Sequence, residues 1–227
     1  AQEAPLGAFQ GTITSSTNAS QTSLGTGTET ITVTGPTATI NWSPTLLLNE
    51  AGNIDFLPAG NVATFVGGAE AGNYTVLNRV VPVEGNNAIE LNGTINSFLF
   101  GGETTGGNIW FMSPGGIVVG QNAMFDVGSL LLTTLDVGEG WMADGDGFSA
   151  TFSPFSESTP GSIQILDGAS IEALQQNSYI ALVAPRIEQG GNVEVNGAAA
   201  YAAGEQVSLT MNQGLFDVEV FVGTGDV

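Results

Sequence analysis

The sequence predicts an all-β fold: a right-handed parallel β-helix with an N-terminal β cap and extra strands outside the helix. Three observations carry this. No stretch of about 12 residues repeats apolar positions at i, i+3, i+4 and i+7, so amphipathic helices are not expected. Short alternating runs bounded by Gly, Asn, Asp or Pro dominate instead. Apolar positions also recur at roughly 20 residues, the length of one coil holding three short strands.

The elements follow in chain order. Residues 1–60 are rich in Thr, Ser and Gly and include Trp42 and Leu46-Leu47-Leu48. A coil end exposes core and strand edges, so this segment is assigned to the cap and the first coils. Alternating runs then appear at Ile31-Thr32-Val33-Thr34, Asn53-Ile54-Asp55-Phe56, Ala88-Ile89-Glu90-Leu91, Asn108-Ile109-Trp110-Phe111 and Gly116-Ile117-Val118-Val119. Residues 139–160 break the pattern and are expected to leave the coil, partly as strand. Beyond them, runs at 162–166, 170–174, 179–184, 192–196, 199–202 and 206–210 read as coil strands. Ile171 to Val193 is 22 positions, Ile180 to Tyr201 is 21 and Ile187 to Val207 is 20. A β-sandwich also has short alternating strands, and Asn92-Gly93 and Asn196-Gly197 suit its hairpins as well as β-helix corners. The chain is expected to be a single domain of residues 1–227. The strand-like residues 221–227, with no closing cap, suggest a fragment whose coil continues in a longer protein. The small and polar residues 1–5 suggest a mature start after removal of a signal peptide.

Composition narrows the chemistry. The 22 acidic against 2 basic residues give a net charge of −20, which opposes binding to nucleic acid or anionic membranes. The chain has no His and no Cys. Ser-His-Asp and thiol catalysis, disulfides, and His- or thiolate-ligated metals are therefore excluded, and no cofactor is expected. No apolar run approaches the roughly 18 residues of a membrane span.

The segment Gly107-Asn108-Ile109-Trp110-Phe111-Met112-Ser113-Pro114-Gly115-Gly116-Ile117-Val118-Val119-Gly120 resembles the signature region of the filamentous haemagglutinin family. There an Asn-Pro-Asn-Gly-Ile-like turn joins two strands. Ala88-Ile89-Glu90-Leu91-Asn92-Gly93-Thr94-Ile95, Leu77-Asn78-Arg79-Val80, residues 123–136 and Leu182-Val183-Ala184-Pro185-Arg186-Ile187-Glu188 are similar to the family as well, so the likeness runs in order over about residues 35–215. This chain keeps the Pro and the final Gly of the turn and lacks both Asn. The resemblance implies a two-partner secretion (TPS) domain, the N-terminal part of a TpsA exoprotein. It implies a partner, an outer-membrane TpsB β-barrel transporter with periplasmic POTRA domains. The exoprotein would cross unfolded, and the β-helix would grow coil by coil at the cell surface or outside the cell. A monomer without membrane insertion is expected, and host glycans or proteins would be met through downstream parts.

The candidate residues each carry two readings. Ser113, Pro114, Gly115 and Gly116, with Asn78 and Arg79, form a transporter-recognition or secretion motif, or plain structural corners. Arg79 and Arg186 contact an acidic partner or, as preferred, neutralise carboxylates where coils meet through bidentate hydrogen bonds. Asp144 and Asp146 suggest calcium, but without the rest of a binding loop an acidic solvated loop is the preferred reading. Trp42, Trp110, Trp141, Phe152 and Phe155 are expected in core or cap rather than on sugars. Two other functions remain alternatives to secretion: a carbohydrate-binding adhesin module, and a β-helix polysaccharide lyase with Asp126, Asp136 and Glu139 as acids. The lyase is disfavoured by the shortage of basic residues.

Overall fold

The computed structural model describes residues 7–145, 147–156 and 158–221. Residues 1–5, Asp146 and residues 222–227, on which expectations were placed above, lie outside them. Among the described residues every element is a strand, and no helix is long and apolar enough to cross a membrane.

The first two strands form one long bent ribbon. β1 (Gly11–Thr17) and β2 (Ala19–Gly25) meet at Asn18, which takes a left-handed φ of 55°. The chain then reverses and winds. The first coil is β3 (Thr28–Val33), β4 (Thr37–Pro44) and β5 (Ile54–Leu57); the second is β6 (Val62–Gly67), β7 (Thr75–Val80) and β8 (Ile89–Leu91); the third is β9 (Thr94–Phe98), β10 (Asn108–Met112) and β11 (Ile117–Val119). The fourth coil starts with β12 (Met124–Asp126) and β13 (Ser129–Thr133). It is then interrupted by β14 (Asp136–Val137), β15 (Met142–Asp144) and β16 (Gly147–Ser153), and completed by β17 (Ile163–Ile165). The fifth comprises β18 (Ser170–Ala184), which turns a corner within itself, and β19 (Ile187–Gln189). β20 (Asn192–Ala203) lays two sides of a sixth, and β21 (Val207–Asn212) and β22 (Leu215–Val220) leave it.

Every coil strand pairs in parallel with its counterpart in the next coil, which gives three faces. The first holds β3, β6, β9, β12 and the leading halves of β18 and β20. The second holds β4, β7, β10, β13 and the trailing halves of β18 and β20. The third holds β5, β8, β11, β17 and β19. This is a parallel β-helix, right-handed as parallel crossovers within one sheet are. The β-sandwich alternative falls, because the coil strands pair in parallel with partners a coil away rather than as hairpins.

Alternation fills the interior. In β4 the inward side chains Ala38, Ile40 and Trp42 are buried while Thr37, Thr39 and Asn41 are half-buried. One core of Ile, Val, Leu and Phe runs through all the coils. The strap formed by β1 and β2 covers the first coil by antiparallel pairing with β4 and β3. Phe9 plugs that end, its ring 5.0 Å from Phe56, 5.2 Å from Trp42 and 5.9 Å from Phe111.

A second core lies outside the second face. There β14, β15, β16, β21 and β22 form an antiparallel sheet. Its Phe148, Ala150, Phe152, Val207, Leu209 and Met211 close over Leu77, Trp110, Met112, Leu131, Tyr179 and Val183. The Trp110 Nε1–H donates to the Tyr179 hydroxyl at 2.7 Å, which satisfies a buried indole. Trp42, Trp110 and Phe152 are core residues, while Trp141 and Phe155 pack on the second core from its rim.

Two of the expected period pairs are corrected. Ile171 does lie beside Val193. Ile180, however, lies beside Ala199 rather than Tyr201, because the β18–β20 register shifts between Ala173 and Ser178. Ile187 has no partner in Val207, since β21 has left the coil for the outer sheet and pairs with β16. Earlier coils are also longer than about 20 residues: Ile31 faces Phe65, and Ala63 faces Ile95.

Candidate functional site

The motif turn sits in the third coil, where the chain passes from the second face to the third. β10 ends at Met112 and β11 starts at Ile117, so Ser113-Pro114-Gly115-Gly116 makes the corner. The Gly116 N–H donates to the Ser113 carbonyl at 3.3 Å, and Gly116 takes a φ of +124° that L side chains rarely adopt. Corners of successive coils stack here at backbone contact. A Cβ on Gly115 would lie 2.3 Å from the Asn87 carbonyl oxygen, and one on Gly161 would lie 2.1 Å from the Gly115 oxygen. The Gly161 N–H donates to the Pro114 carbonyl at 2.8 Å, and the Thr134 hydroxyl donates to the Gly161 carbonyl at 2.8 Å. Asn87 Nδ2 reaches back to the Gly52 carbonyl at 3.0 Å, while Asn86 Nδ2 reaches forward to that of Thr159 at 2.9 Å.

This stacking closes the turn. Ser113 is 0% exposed, Pro114 and Gly116 are buried, and Gly115 is half-buried. The Ser113 hydroxyl is buried without a hydrogen-bond partner among the described residues. Sequence reasoning missed Asn86, Asn87 and Gly161 as parts of this corner. The one local signal was the Gly85-Asn86-Asn87 run, since Asn and Gly favour corners.

Asn78 and Arg79 are neighbours in β7 and, by alternation, point to opposite sides. Asn78 is fully buried inside the coil, where its Oδ1 accepts from Trp42 Nε1 and its Nδ2 donates to the Trp110 carbonyl, both at 3.1 Å. It therefore ties together side or main chain of the first three coils. Arg79 points out, and its Nη2 donates to Asp136 Oδ1 at 2.6 Å. Both side chains are under a third exposed, and this pair pins the start of the outer sheet to the second coil. The contact is one bond rather than the expected fork; Arg79 Nε is buried without a hydrogen-bond partner among the described residues.

Arg186 departs from the coil-to-coil expectation. Its guanidinium pairs with Glu188 in its own coil, and its side chain is 76% exposed. Only its main chain joins coils, through the Ile163 N–H donating to the Arg186 carbonyl at 3.0 Å. Asp144 lies in β15, exposed, with its partner candidate Asp146 outside the described residues. Among the described residues no group of three or more His, Cys, Asp or Glu is placed to hold a metal ion. The acids Asp126 and Asp136 fall on different elements, Asp126 on the first face and Asp136 on Arg79.

One buried carboxylate was not singled out from sequence. Glu29 is 3% exposed and holds the plug: it accepts from the Phe9 N–H at 2.7 Å and from Gln21 Nε2 at 2.9 Å. Burial raises its pKa above the usual carboxylate value, against the lowering effect of those donors.

Among the described residues, the candidate positions thus make stacked corners and coil-to-coil ties. The family model for the TPS secretion domain matches residues 12–226. No curated protein matches the chain in sequence. Among solved structures it is similar to the HMW1 secretion domain from Haemophilus influenzae, with a TM-score of 0.66 and 19% identity. That match covers 93% of this chain and 49% of the other, so the chain spans about half the length of that structure. A fold wound in parallel coils, the ordered motifs and a family match over nearly the whole length lead to one assignment: the chain belongs to the TPS secretion domain family, the secretion domain of a secreted or cell-surface TpsA exoprotein.

Proposed function

We propose that the transporter engages this domain before it folds, while the chain is in transit through the periplasm and within reach of the transporter's POTRA domains. The observation that carries this reading is the burial of the motif turn. In the folded domain Ser113 is 0% exposed and its neighbours are closed over by the second and fourth coils. A receptor has almost no side chain to touch there, and Asn78 is equally inaccessible. In the unfolded chain the same residues are open. Arg79 and Arg186 then carry the only positive charges on an acidic segment. After export the corner serves a second role, setting the stack of coils.

The far end of the helix supports a templating role outside the cell. β19 and β20 each pair with one strand only among the described residues. The hairpin of β21 and β22 runs out and back, so that the Phe221 N–H donates to the Gln206 carbonyl at 3.0 Å, close to where the chain left the coil. The hairpin therefore brings Phe221 back beside the point where the chain left the sixth coil. This reading gives the domain no catalytic step, in keeping with a chain without His or Cys.

The test compares two states of the same chain. Refolded domain and domain freshly diluted from urea are presented to the purified transporter's periplasmic region. The unfolded chain should bind and the refolded one should not. Equal, motif-dependent binding by the refolded domain would sink the reading.

A further inference from the structure

The third face carries a groove separate from the motif corner. The inward residues of β8, β11 and β17 are Ile89 and Leu91, Ile117 and Val119, and Ile163 and Ile165. Glu90, Val118 and Gln164 therefore point outward, and they lie in register on successive coils. Parallel coils step at about 4.8 Å, so these three side chains form a straight column.

The loop of residues 45–53 walls one end of this column. It folds back on β5, where Leu48 bridges Ile54 and the Asp55 N–H donates to the Leu47 carbonyl at 3.0 Å. Asn49 holds the loop in shape: its Oδ1 accepts from the N–H groups of Ala51 and Asn53 at 3.1 and 3.0 Å. Its Nδ2 donates to Glu90 Oε2, as does that of Asn53 at 3.3 Å. Asn92, Gln121 and Leu166 line the far side, and the cavity between is about 450 Å³. That is within the range of small-molecule sites.

The lining selects the ligand class. It offers amides and carboxylates and no cation, with Arg79 and Arg186 elsewhere. An anionic ligand would meet Glu50 and Glu90 on a chain of charge −20. A bare metal ion would find no group of three acids among the described residues. A hydroxyl both donates and accepts, which matches a mixture of amides and carboxylates. The side-chain amides of Gln121 and Gln164 make no hydrogen bond to the described residues and are free to pair with a ligand. Val118 and Leu166 give the floor an apolar surface for the C–H face of a sugar ring. The column's step is close to the length of one pyranose unit, and its straightness suits a flat, extended chain.

We propose that this groove binds a neutral, extended, β-linked oligosaccharide laid along the stacking axis. Gln121, Gln164 and Asn92 pair with its hydroxyls, Glu90 accepts from them, and Val118 lies beneath a ring. The site belongs to the folded domain and is independent of how the transporter reads the unfolded chain.

The experiment is calorimetric titration of the folded chain with cellotetraose and chitotetraose as β1,4-linked probes. Maltotetraose serves as a curved α-linked control and trigalacturonate as an acidic one. Saturable binding of at least one β1,4 probe is expected, at least tenfold tighter than either control. The double variant Gln121→Ala/Gln164→Ala should weaken it at least tenfold while leaving the unfolding midpoint unchanged, since both side chains lie outside the core. Absence of binding by both β1,4 probes overturns the proposal. So does equal binding by the double variant, or preference for maltotetraose or trigalacturonate.

Discussion

At the scale of single residues, Asn78 links more of the fold than any surface charge. Replacing it with Leu keeps the volume but orphans the buried Trp42 Nε1–H and removes the side-chain donor from the Trp110 carbonyl, which keeps its place in the β7–β10 ladder. A buried unpaired group costs about 1–3 kcal/mol, so Asn78→Leu should lower stability by about 1–3 kcal/mol in urea unfolding. A loss below that range would mean that the indole finds another partner. Glu29 makes a pH-dependent prediction. The groups facing it are the Phe9 amide, the Ala8 amide and Gln21, with no cation among them. Its folded pKa lies above 4.5, so the folded state holds the proton more tightly than the unfolded chain does. This carboxyl's contribution therefore rises as pH falls through the folded value, levels off below 4.5, and is lost again as pH rises. Unfolding midpoints at several pH values should show the wild type gaining more stability on mild acidification than Glu29→Gln does. Parallel curves would remove Glu29 from the account.

At the scale of elements, the corners and the columns decide stability. Gly161 has no room for a Cβ beside the Gly115 oxygen, whereas Gly140 has nothing within 4 Å. Gly161→Ala should therefore separate the third and fourth coils and unfold the domain at 37 °C or cost at least about 3 kcal/mol. Gly140→Ala should be neutral or stabilising by up to about 1 kcal/mol, and circular dichroism melts of the two would compare them. Along the first face, Asp126, Glu172 and Glu194 stand in register on adjacent coils. Like charges directly opposite are destabilising, by analogy with the roughly 0.2–1 kcal/mol that favourable pairs contribute. Much of the outward alternation and the Ile171–Val193 period were legible in the sequence because the fifth coil carries no long insertion. The first coils hid their period behind the loops at 45–53, 81–88 and 99–107, which lengthen each coil without altering the strands. β21 was assigned to the coil because a half-buried strand alternates alike in a parallel coil and an antiparallel sheet. The clue lay elsewhere: β10 and β13 are apolar on both sides, as strands covered on both faces are. The corner partners of Gly115 were illegible for a different reason. Asn87 and Gly161 are distant in sequence, and only the stack brings their main chains together.

At the scale of the whole molecule, the two ends of the helix are built differently. The N-terminal end is shut by the strap of β1 and β2 and by Phe9, with Glu29 holding the plug. At the other end Val193 and Val195, which pack on the interior core, are only half-buried, and Tyr201 is 43% exposed. Among the described residues this apolar end carries an edge that no strand pairs, a hazard in an isolated protein, and Glu188 and Glu194 beside it limit edge-to-edge association. For a growing β-helix the same end is the surface on which the next coil closes, and folding then proceeds by nearest-neighbour addition without long loop closures. The templating proposal can be tested at Val195. An ammonium placed there by Val195→Lys can reach solvent while the coil end is open, so the domain alone should lose no more than about 1 kcal/mol. Once a further coil stacks over it, the same charge is buried without a partner, which is far more costly than an unpaired neutral group. In the full exoprotein, Val195→Lys should therefore leave this domain protease-resistant and strip protection from the segment that follows. If the downstream segment stays as protected as in the wild type, its coils do not use this end as their template.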